Sequence, residues 1–262
     1  MTSPIRFASH GRVAVLTLAK PETRNALSLE VIEALISAFE AIEADQGVRV
    51  VVLEAEGPAF SAGHDLKQLT AHRGDKDGGR AFFEATFSRC GALMQRIVGL
   101  PQPVIAAVEG VATAAGCQLV ASCDLAVAGA SARFATPGVN IGLFCSTPAV
   151  ALSRTLAPKH AMEMLLTGEL IDAETAQRMG LINRIVSHGE AAHAARALAE
   201  SIASKSPAAL RIGKRAFRDQ SLLPLDEAYA CAANVMVQNM LTSDAVEGVD
   251  AFIAKRQPKW DA

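Results

Sequence analysis

An apolar strand that runs directly into a turn of very small residues constrains the fold of this chain more than any other feature. The strand is the run from Val104 to Val108, and the turn leads to a helix that begins near Ala115. Residues this small let the backbone approach a ligand closely, and the first N–H groups of a helix have no intrahelical acceptor. The segment therefore predicts a neutral site, made of backbone alone, for an oxygen that gains negative charge.

A second segment has the same character. The apolar run from Val50 to Ala55 leads through Gly57 to small residues at 61–63, and then to His64 at the start of the next helix. Two strand-to-helix loops that each offer one N–H can bind one oxygen between them. Because strands alternate with helices here, the pattern predicts an α/β fold with a largely parallel sheet.

Hydrophobic periodicity predicts the remaining elements of the core. It indicates a hairpin, a helix capped by Ser28, a strand that begins at Val48, a mobile Gly-rich loop, a long helix and a strand that begins at Asp124. In chain order these segments are Ile5–His10 with Val13–Leu18, the helix after residue 28, the strand 48–55, the loop 71–80, the helix 80–98 and the strand 124–128.

The composition excludes several classes of function. The length of 262 residues suits one α/β domain with a helical appendage, and half of the residues are hydrophobic, which is enough for a sizeable core. A net charge of −2 argues against nucleic acid or an anionic membrane as the main partner. The five cysteines are odd in number and form no Cys-x-x-Cys pair, so we expect reduced thiols and no metal site.

The first residues of the chain carry no recognisable targeting signal. The stretch MTSPIRFASHGR lacks the apolar core of a signal peptide and the Arg- and Ser-rich extent of a transit peptide. No apolar run in the sequence is long enough to span a bilayer. Together with the reduced cysteines, this predicts a cytoplasmic protein without a membrane partner.

Several motifs in a fixed order link the chain to a known family. PAFSAGHDLK at 58–67 and VEGVATAAGCQLVASCD at 108–124 resemble the two oxyanion-hole segments of the crotonase (enoyl-CoA hydratase/isomerase) superfamily. RNALS at 24–28 is similar to its first coenzyme A loop, FATPGVNIGLF at 134–144 to its second catalytic loop, and SDAVEGVDAFIAKRQPKW at 243–260 to its C-terminal helix. The resemblance covers nearly the whole chain and implies a core built as a repeated β-β-α spiral.

The resemblance also implies an organisation for the chain. Residues 1–200 would form the spiral core with the acyl-CoA site, and residues 201–262 a helical region that packs against neighbouring subunits. Members of the family form trimers, often paired as hexamers, so we expect a homotrimer or hexamer. The alternative is that these helices only cover their own core. No permanently bound cofactor is implied, and a coenzyme A thioester would be the substrate or ligand.

The family's shared chemical step is the stabilisation of a thioester enolate by two backbone N–H groups. Carried over by position, these donors are the N–H groups of His64 and Ala115. Relatives usually have glycine where this chain has Ala114 and Ala115, so two methyl groups can narrow the pocket. The imidazole of His64 has two interpretations. Either only its N–H matters, or the ring is a general acid or base whose charge changes near neutral pH.

The two carboxylates of a hydratase are missing. One glutamate would stand at Gln118 and the other at Gly138, and hydration needs both, one to activate water and one to deliver a proton. An amide is neither a general acid nor a general base at neutral pH, so we do not expect efficient hydration of crotonyl thioesters. The open replacements are Cys145 or Ser146, a water held by Gln118, or a bicarbonate ion for which Gly138 leaves room.

Coenzyme A needs cations for its phosphates and backbone groups for its adenine. The resemblance assigns a phosphate-side cation, a lining of backbone groups and two cations supplied by a neighbouring subunit. These residues are Arg24 for the first, Ala26, Ala62, Asp65 and Leu66 for the second, and Lys255 and Lys259 for the third. Asp65 is also predicted to cap the helix that follows it, and Asp124 to cap or form an ion pair.

The predicted function is therefore that of a protein that binds an acyl-CoA thioester. The first hypothesis is an enzyme, a lyase, isomerase or thioesterase that works through an enolate held in the oxyanion hole. The alternative is a non-catalytic acyl-CoA binder with a buffering or regulatory role. The missing carboxylates favour the binder, whereas the intact pair of backbone donors favours the enzyme.

Overall fold

The chain, described by a computed structural model for residues 3–260, has two sheets surrounded by helices. The strands are β1 (Ile5–His10), β2 (Val13–Leu18), β3 (Val50–Ala55), β4 (Ala59–Ser61), β5 (Val104–Val108), β6 (Val111–Thr113), β7 (Leu125–Gly129), β8 (Arg133–Ala135), β9 (Ile171–Asp172) and β10 (Arg184–Val186). The helices are α1 (Leu29–Ala44), α2 (Leu66–Ala71), α3 (Arg80–Gly99), α4 (Ala115–Ser122), α5 (Ser146–Thr155), α6 (Pro158–Thr167), α7 (Ala173–Met179), α8 (Ala191–Ala203), α9 (Pro207–Gln220), α10 (Leu225–Met240) and α11 (Ser243–Ile253).

The larger sheet has six strands in the order β1-β2-β3-β5-β7-β10. Only the β1–β2 hairpin is antiparallel, and the other neighbours pair in parallel. Strands β3 and β5 are apolar on both faces because helices cover both sides of a parallel sheet. On one side Val51 packs in the main core with α1 and α3, and on the other Val52 packs in a second core with the alanines of α8.

A second sheet of four short strands, in the order β4-β6-β8-β9, stands at the ends of the central strands of the first. The chain contains three successive units, β3-β4, β5-β6 and β7-β8. In each unit the first strand belongs to the larger sheet and the second to the smaller sheet, and a helix follows. This repeat confirms the predicted α/β fold with a β-β-α spiral core. Strand β6 lies in a segment that we predicted as a simple turn, since a three-residue strand leaves almost no periodic signal.

Two predicted caps are present. The Ser28 hydroxyl accepts a hydrogen bond from the Val31 N–H at the start of α1, at 3.3 Å. The Asp65 carboxylate accepts from the N–H groups of Lys67 and Gln68 at the start of α2, at 2.9 and 3.0 Å. Each cap satisfies N–H groups that have no acceptor within the helix and so fixes the residue at which the helix begins.

Several predicted boundaries are wrong by one or two residues. β3 begins at Val50 rather than Val48, and β7 begins at Leu125 rather than Asp124. The segment 71–80, predicted as a loop, contains a short 3-10 turn in which the imidazole of His72 stacks on the ring of Phe82 at 3.7 Å.

The predicted division between residues 200 and 201 falls inside α8. This helix continues to Ala203, and Ala195, Ala199 and Ala203 all pack into the second core. The helices that follow are tied to the core by polar contacts. The Ser206 hydroxyl donates to the buried Asp244 carboxylate at 2.5 Å, which joins the start of α9 to α11. The division into two regions stays a prediction, with α8 on the side of the core.

Lys214 provides a second set of polar contacts between α9 and the core. Its ammonium group donates to the Asp124 carboxylate at 2.6 Å and to the carbonyls of Ile97 and Gln102 at 3.3 and 3.0 Å. Asp124 also accepts from the Val104 N–H at the start of β5, at 2.7 Å. Burial raises the pKa of Asp124 and lowers the pKa of Lys214, because for each group desolvation outweighs the attraction of its partner. The predicted pairing role of Asp124 agrees with these contacts.

Within residues 3–260, none of the helices combines the length and the apolar character needed to cross a membrane.

We expect Lys214→Met to lower the free energy of unfolding by about 1–2 kcal/mol, because it removes the cation beside the Asp124 carboxylate, whose side chain is 29% exposed, and the bonds from the ammonium group to two carbonyls. Urea denaturation of both proteins at neutral pH measures the difference. Lys205→Met, which removes an exposed ammonium group nine residues earlier, is the matched control and should change stability by less than about 0.5 kcal/mol. Equal losses in the two variants would contradict the assigned role of Lys214.

Candidate oxyanion site

Parallel pairing of β4 with β6 brings the two predicted loops together. Ser61 is opposite Ala112, so the carboxyl ends of the two strands lie side by side and the chain leaves both in the same direction. A Cβ atom added to Gly63 would lie 2.8 Å from the Ala114 Cβ and 3.2 Å from the Ala115 nitrogen. The loop before His64 and the loop before α4 are thus in direct contact, as their predicted shared role requires.

The start of α4 is pressed against the end of β4. A Cβ atom on Gly116 would lie 2.3 Å from the Ser61 carbonyl oxygen, so only glycine fits at this position. The preceding residue, Ala114, has φ +50° and ψ −119°, a conformation that favours glycine, and it is held there by its N–H bond to the Ala135 carbonyl at 2.9 Å. Ala115 is the first helical residue, and its N–H has no acceptor within the helix.

A buried asparagine forms hydrogen bonds with the segments that adjoin these loops. Asn25 has 1% of its surface exposed, and its side-chain amide donates to the carbonyls of Glu56 and Ala59 at 2.8 Å each, while its oxygen accepts from the Lys20 N–H at 2.9 Å. Its backbone φ is +52°, a left-handed conformation that asparagine tolerates better than most residues. We did not predict a role for Asn25 from the sequence, although an asparagine within a short loop before a capped helix is a usable signal for such a turn.

Ser61 connects this asparagine to the oxyanion loop. Its hydroxyl donates to the Asn25 carbonyl at 2.8 Å and accepts from the Gly63 N–H at 3.3 Å. The Gly63 carbonyl in turn accepts from the Leu27 N–H at 2.8 Å. The peptide that precedes His64 is therefore fixed on both sides, which preorganises the direction of the His64 N–H.

The residues predicted to bind coenzyme A divide into two groups in the structure. Arg24, Ala26, Ala62, Asp65 and Leu66 lie on the two adjoining loops, and the Ala62 N–H donates to the Arg24 carbonyl at 3.0 Å. The side chain of Arg24 is exposed, as are Ala62 and Leu66. These residues form a continuous rim beside the oxyanion loops, where a polar ligand can reach both backbone groups and a cation.

Lys255 and Lys259 belong to the tail that follows α11. Both are exposed, and the contacts of this tail within the chain go to α11 and to the end of α8. The Lys259 N–H donates to the Glu247 carboxylate at 2.7 Å, and the Trp260 indole donates to the Ser204 carbonyl at 2.8 Å. These contacts within residues 3–260 hold the tail against α11 and the residue that follows α8.

The His64 imidazole lies between the Leu27 carbonyl and α3. Its Nδ1 atom is 3.4 Å from the Leu27 oxygen, and the ring meets Phe87 edge to face at 5.2 Å. Its Nε2 atom is shielded from solvent and has no hydrogen-bond partner among residues 3–260. Burial lowers the pKa of His64, and the Leu27 carbonyl opposes this effect only in part, so the ring is neutral at pH 7.

Gln118 projects from the first turn of α4 and is 3% exposed. Its Oε1 atom is buried and has no partner in the described part of the chain. The oxygen therefore makes no bond to a backbone N–H group within residues 3–260. A buried amide oxygen without a partner costs about 1–3 kcal/mol, which a bound water or ligand donor would recover.

The loop that contains Gly138 leaves no room for a side chain at this residue, and a bicarbonate ion in place of the missing carboxylate stays a prediction. A Cβ atom at this position would lie 2.5 Å from the Leu143 carbonyl oxygen and 2.8 Å from the Cys145 sulfur. The Leu143 N–H also donates to the Gly138 carbonyl at 2.9 Å, which folds the loop back over the glycine. A carboxylate side chain cannot be accommodated at residue 138 unless the loop 139–145 moves.

The neighbouring thiols and hydroxyl offer no ready substitute for a carboxylate. Burial raises the pKa of Cys145, and it raises the pKa of Cys117 to about 12. Both are therefore neutral thiols at pH 7 and weak nucleophiles. Ser146 is exposed, and its hydroxyl donates to the Phe144 carbonyl at 3.4 Å. Among residues 3–260, no group of three or more His, Cys, Asp or Glu side chains is placed to hold a metal ion.

Comparison with known proteins agrees with this geometry. The family model described as enoyl-CoA hydratase/isomerase matches residues 8–262. The chain belongs to the enoyl-CoA hydratase/isomerase family. A relative from Rattus norvegicus, named mitochondrial enoyl-CoA hydratase domain-containing protein 3, is 46% identical over 245 residues, which is 94% of this chain and 80% of the relative.

Solved structures of this family superpose closely on the chain. An enoyl-CoA hydratase from Mycobacterium smegmatis is 46% identical with a TM-score of 0.93, and the match covers 98% of each chain. Human enoyl-CoA hydratase domain-containing protein 3 is 43% identical with a TM-score of 0.93, over 98% of this chain and all of that one. The crotonase spiral and the kinship with domain-containing protein 3 are therefore shown.

The prediction of a cytoplasmic location is contradicted by the same comparison. Five relatives that are 43–46% identical are all named mitochondrial. The sequence argument relied on reduced cysteines and on the first residues of the chain. Reduced thiols do not distinguish the cytosol from other reducing compartments, which is why the inference failed.

We expect Gly138→Ala to lower the free energy of unfolding of this family member by about 1–3 kcal/mol, because the added methyl group meets the Leu143 carbonyl and the Cys145 sulfur. Urea denaturation measures the change. Gly91→Ala is the control, since nothing lies within 4 Å of a Cβ there and the site is inside α3. The free energy of unfolding of Gly91→Ala should be higher than that of the wild type by about 0.5–1 kcal/mol. A Gly138→Ala protein as stable as the wild type would mean that the loop leaves room after all.

Proposed function

We propose that this family member binds an acyl-CoA thioester and stabilises its enolate with the N–H groups of His64 and Ala115. The observation that carries the proposal is the contact between the two loops, in which a Gly63 Cβ would lie only 3.2 Å from the Ala115 nitrogen. Two N–H groups in the loops that follow adjacent parallel strands can both donate to one oxygen. In enzymes with an oxyanion hole, removal of one donor lowers the rate about 10²–10³-fold, so a pair of donors contributes substantially to stabilisation of the transition state.

The neutral surroundings of the two donors support this function. His64 is neutral because burial lowers its pKa, and the side chains beside Ala115 are small and apolar. Backbone dipoles that are fixed before the reaction need no reorganisation when charge develops on the thioester oxygen. Fixation is supplied here by Ser61 and Asn25, whose hydrogen bonds hold the peptide before His64.

The rim of the site fits the polar part of coenzyme A. Arg24 is the cation on the rim, and the backbone of Ala26, Ala62, Asp65 and Leu66 lines it. We infer that Lys255 and Lys259 reach the phosphates only from a neighbouring copy, because within one chain their segment contacts α11 and α8.

The chemistry that follows enolate formation is proposed to be that of a lyase or isomerase rather than of an efficient hydratase. Gln118 is an amide and Gly138 has no side chain, so the two proton-transfer groups of hydration are absent at these positions. The alternative function is a non-catalytic acyl-CoA binder with a regulatory role. The packing of Gly138 against Leu143 and Cys145 favours this alternative, since it closes one of the two positions.

A ligand series tests the oxyanion proposal without altering the protein. We expect acetoacetyl-CoA, which forms an enolate readily, to bind more tightly than butyryl-CoA, and butyryl-CoA more tightly than the thioether S-butyl-CoA. The order follows from the charge on the oxygen that meets the two N–H groups, because the thioether has no carbonyl oxygen. Isothermal titration calorimetry gives the three dissociation constants, and equal values would contradict an oxyanion hole.

Mass spectrometry of crotonyl-, acetoacetyl- and octanoyl-CoA after incubation with the protein separates the two functions. A new product would identify an enzyme and its reaction. Tight binding with every thioester unchanged would favour the non-catalytic binder for these ligands. Absence of binding to every CoA ester would refute the proposed function and leave the fold alone.

We further propose that the chain assembles as a homotrimer, or as a hexamer of two trimers. None of the residues of α10 is buried in the single chain, and large apolar side chains on the last three helices are open to solvent. Exposed fractions reach 75% for Phe217 and Leu225, 72% for Tyr229 and 84% for Phe252. Several large apolar side chains exposed on three neighbouring helices indicate a protein interface.

We expect Phe252→Glu to weaken this assembly, because a carboxylate would have to be desolvated in the interface. Sedimentation velocity at several protein concentrations measures the fraction of trimer and monomer. Phe7→Glu, at an exposed phenylalanine of β1, is the control and should leave the distribution unchanged. A wild-type protein that sediments as a monomer at all concentrations would refute the trimer.

A further inference from the structure

The two nitrogens of the His64 imidazole have different surroundings. Nδ1 faces the Leu27 carbonyl at 3.4 Å. A carbonyl can only accept a hydrogen bond, so in the neutral ring Nδ1 carries the hydrogen and Nε2 keeps its lone pair. Nε2 is shielded from solvent and unpaired among residues 3–260. The structure therefore presents a neutral imidazole with one buried, unused acceptor.

An unpaired buried acceptor needs an explanation. It costs about 1–3 kcal/mol, and such atoms in native proteins are often found where a catalytic step, a water or a ligand uses them. The groups that act on this ring are the apolar surroundings that bury it and the Leu27 carbonyl. Burial keeps the ring neutral at pH 7, and the Leu27 carbonyl orients it through Nδ1, so Nε2 can accept a proton.

The position of the ring relates it to the reacting carbon. The imidazole belongs to the residue whose N–H is one of the two proposed oxyanion donors. A thioester oxygen bound at that N–H is separated from its α-carbon by only two bonds, so the α-carbon would lie near the same residue. Gln118 cannot take a proton, Gly138 has no side chain, and burial raises the pKa of Cys145.

The imidazole has an aromatic neighbour on α3. Phe87 packs edge to face on the imidazole and is itself 39% exposed. A phenyl ring at the surface can rotate towards solvent without disturbing the core. An entering acyl chain can therefore replace Phe87 beside the imidazole and keep the site apolar.

We propose that Nε2 of His64 is the base that removes the α-proton of a CoA thioester bound in the oxyanion hole. This inference rests on the proposed function. The Cα–H bond breaks, its electron pair forms the carbon–carbon double bond of the enolate, and the carbonyl π electrons move to the oxygen held by the two N–H groups. The proton forms a new N–H bond at Nε2, and the Leu27 carbonyl stabilises the imidazolium through Nδ1–H.

The substrate class is accordingly a thioester with at least one α-hydrogen, and no co-reactant is required. Return of the proton to the same carbon regenerates the thioester. In heavy water the proton on Nε2 exchanges with solvent, so that deuterium enters the α-position of an otherwise unchanged thioester. This exchange is the observable that distinguishes the proposal from binding alone.

The test is deuterium incorporation into butyryl-CoA in heavy water, followed by mass spectrometry. We expect the wild type to label the α-carbon, and His64→Gln to label it 10²–10⁴-fold more slowly, since it lacks a titratable group. Binding of butyryl-CoA should change less than threefold, because the backbone donors remain. His193→Gln, at a histidine whose side chain is 80% exposed, is the matched control and should exchange at the wild-type rate.

The pH profile of the wild type gives a readout that does not depend on a variant. Burial lowers the pKa of His64 from 6.5, and the neutral ring is the active form. The exchange rate should therefore rise with pH through a midpoint below 6.5 and stay level above it. His64→Asn repeats the comparison if His64→Gln fails to fold as judged by circular dichroism.

The outcomes separate this proposal from the proposed function. Butyryl-CoA that binds without α-exchange, or exchange in His64→Gln at the wild-type rate, would overturn the role of His64 and leave thioester binding intact. No binding of butyryl-CoA by the wild type would overturn the proposed function itself. Slow exchange in His64→Gln with unchanged binding, together with the low-pH midpoint, is the result that supports the proposal.

Discussion

The close approach of the backbone at Ser61 and Gly116 is the constraint on which the candidate site depends. A Cβ on residue 116 would lie 2.3 Å from the Ser61 oxygen, so α4 can begin where it does only because that residue is glycine. This approach sets the distance between the two strand-to-helix loops. It also sets the direction of the Ala115 N–H and the depth at which Gln118 is buried.

Stabilisation of charge and transfer of protons are assigned to different parts of the chain. In the proposed function two N–H groups of the main chain provide the first, and Ser61 and Asn25 hold the adjoining loops through bonds of 2.8–3.3 Å. The second depends on individual side chains. Of the candidates near the oxyanion loops, His64 is the one that is both neutral at pH 7 and able to accept a proton, whereas Gln118 is restricted to hydrogen bonding.

Elements with local signals were predictable from the sequence. The hairpin β1–β2, the strand β5 and the caps Ser28 and Asp65 follow from periodicity and from side chains that bond to nearby N–H groups. The packing of Gly138 was not predictable in this way, since it depends on the path of the loop that returns Leu143 to the same point. Asn25 was missed for a related reason, because its partners Glu56 and Ala59 lie more than thirty residues away.

The strained Ala114 and the backbone donors beside it have a consequence for how this site can vary. Donors that belong to the main chain survive almost any single substitution, because replacing a side chain leaves the peptide N–H in place. A proton-transfer group is a single side chain, and one substitution is enough to remove it. Random mutation of such a protein would therefore change the reaction long before it removed the ability to hold an enolate.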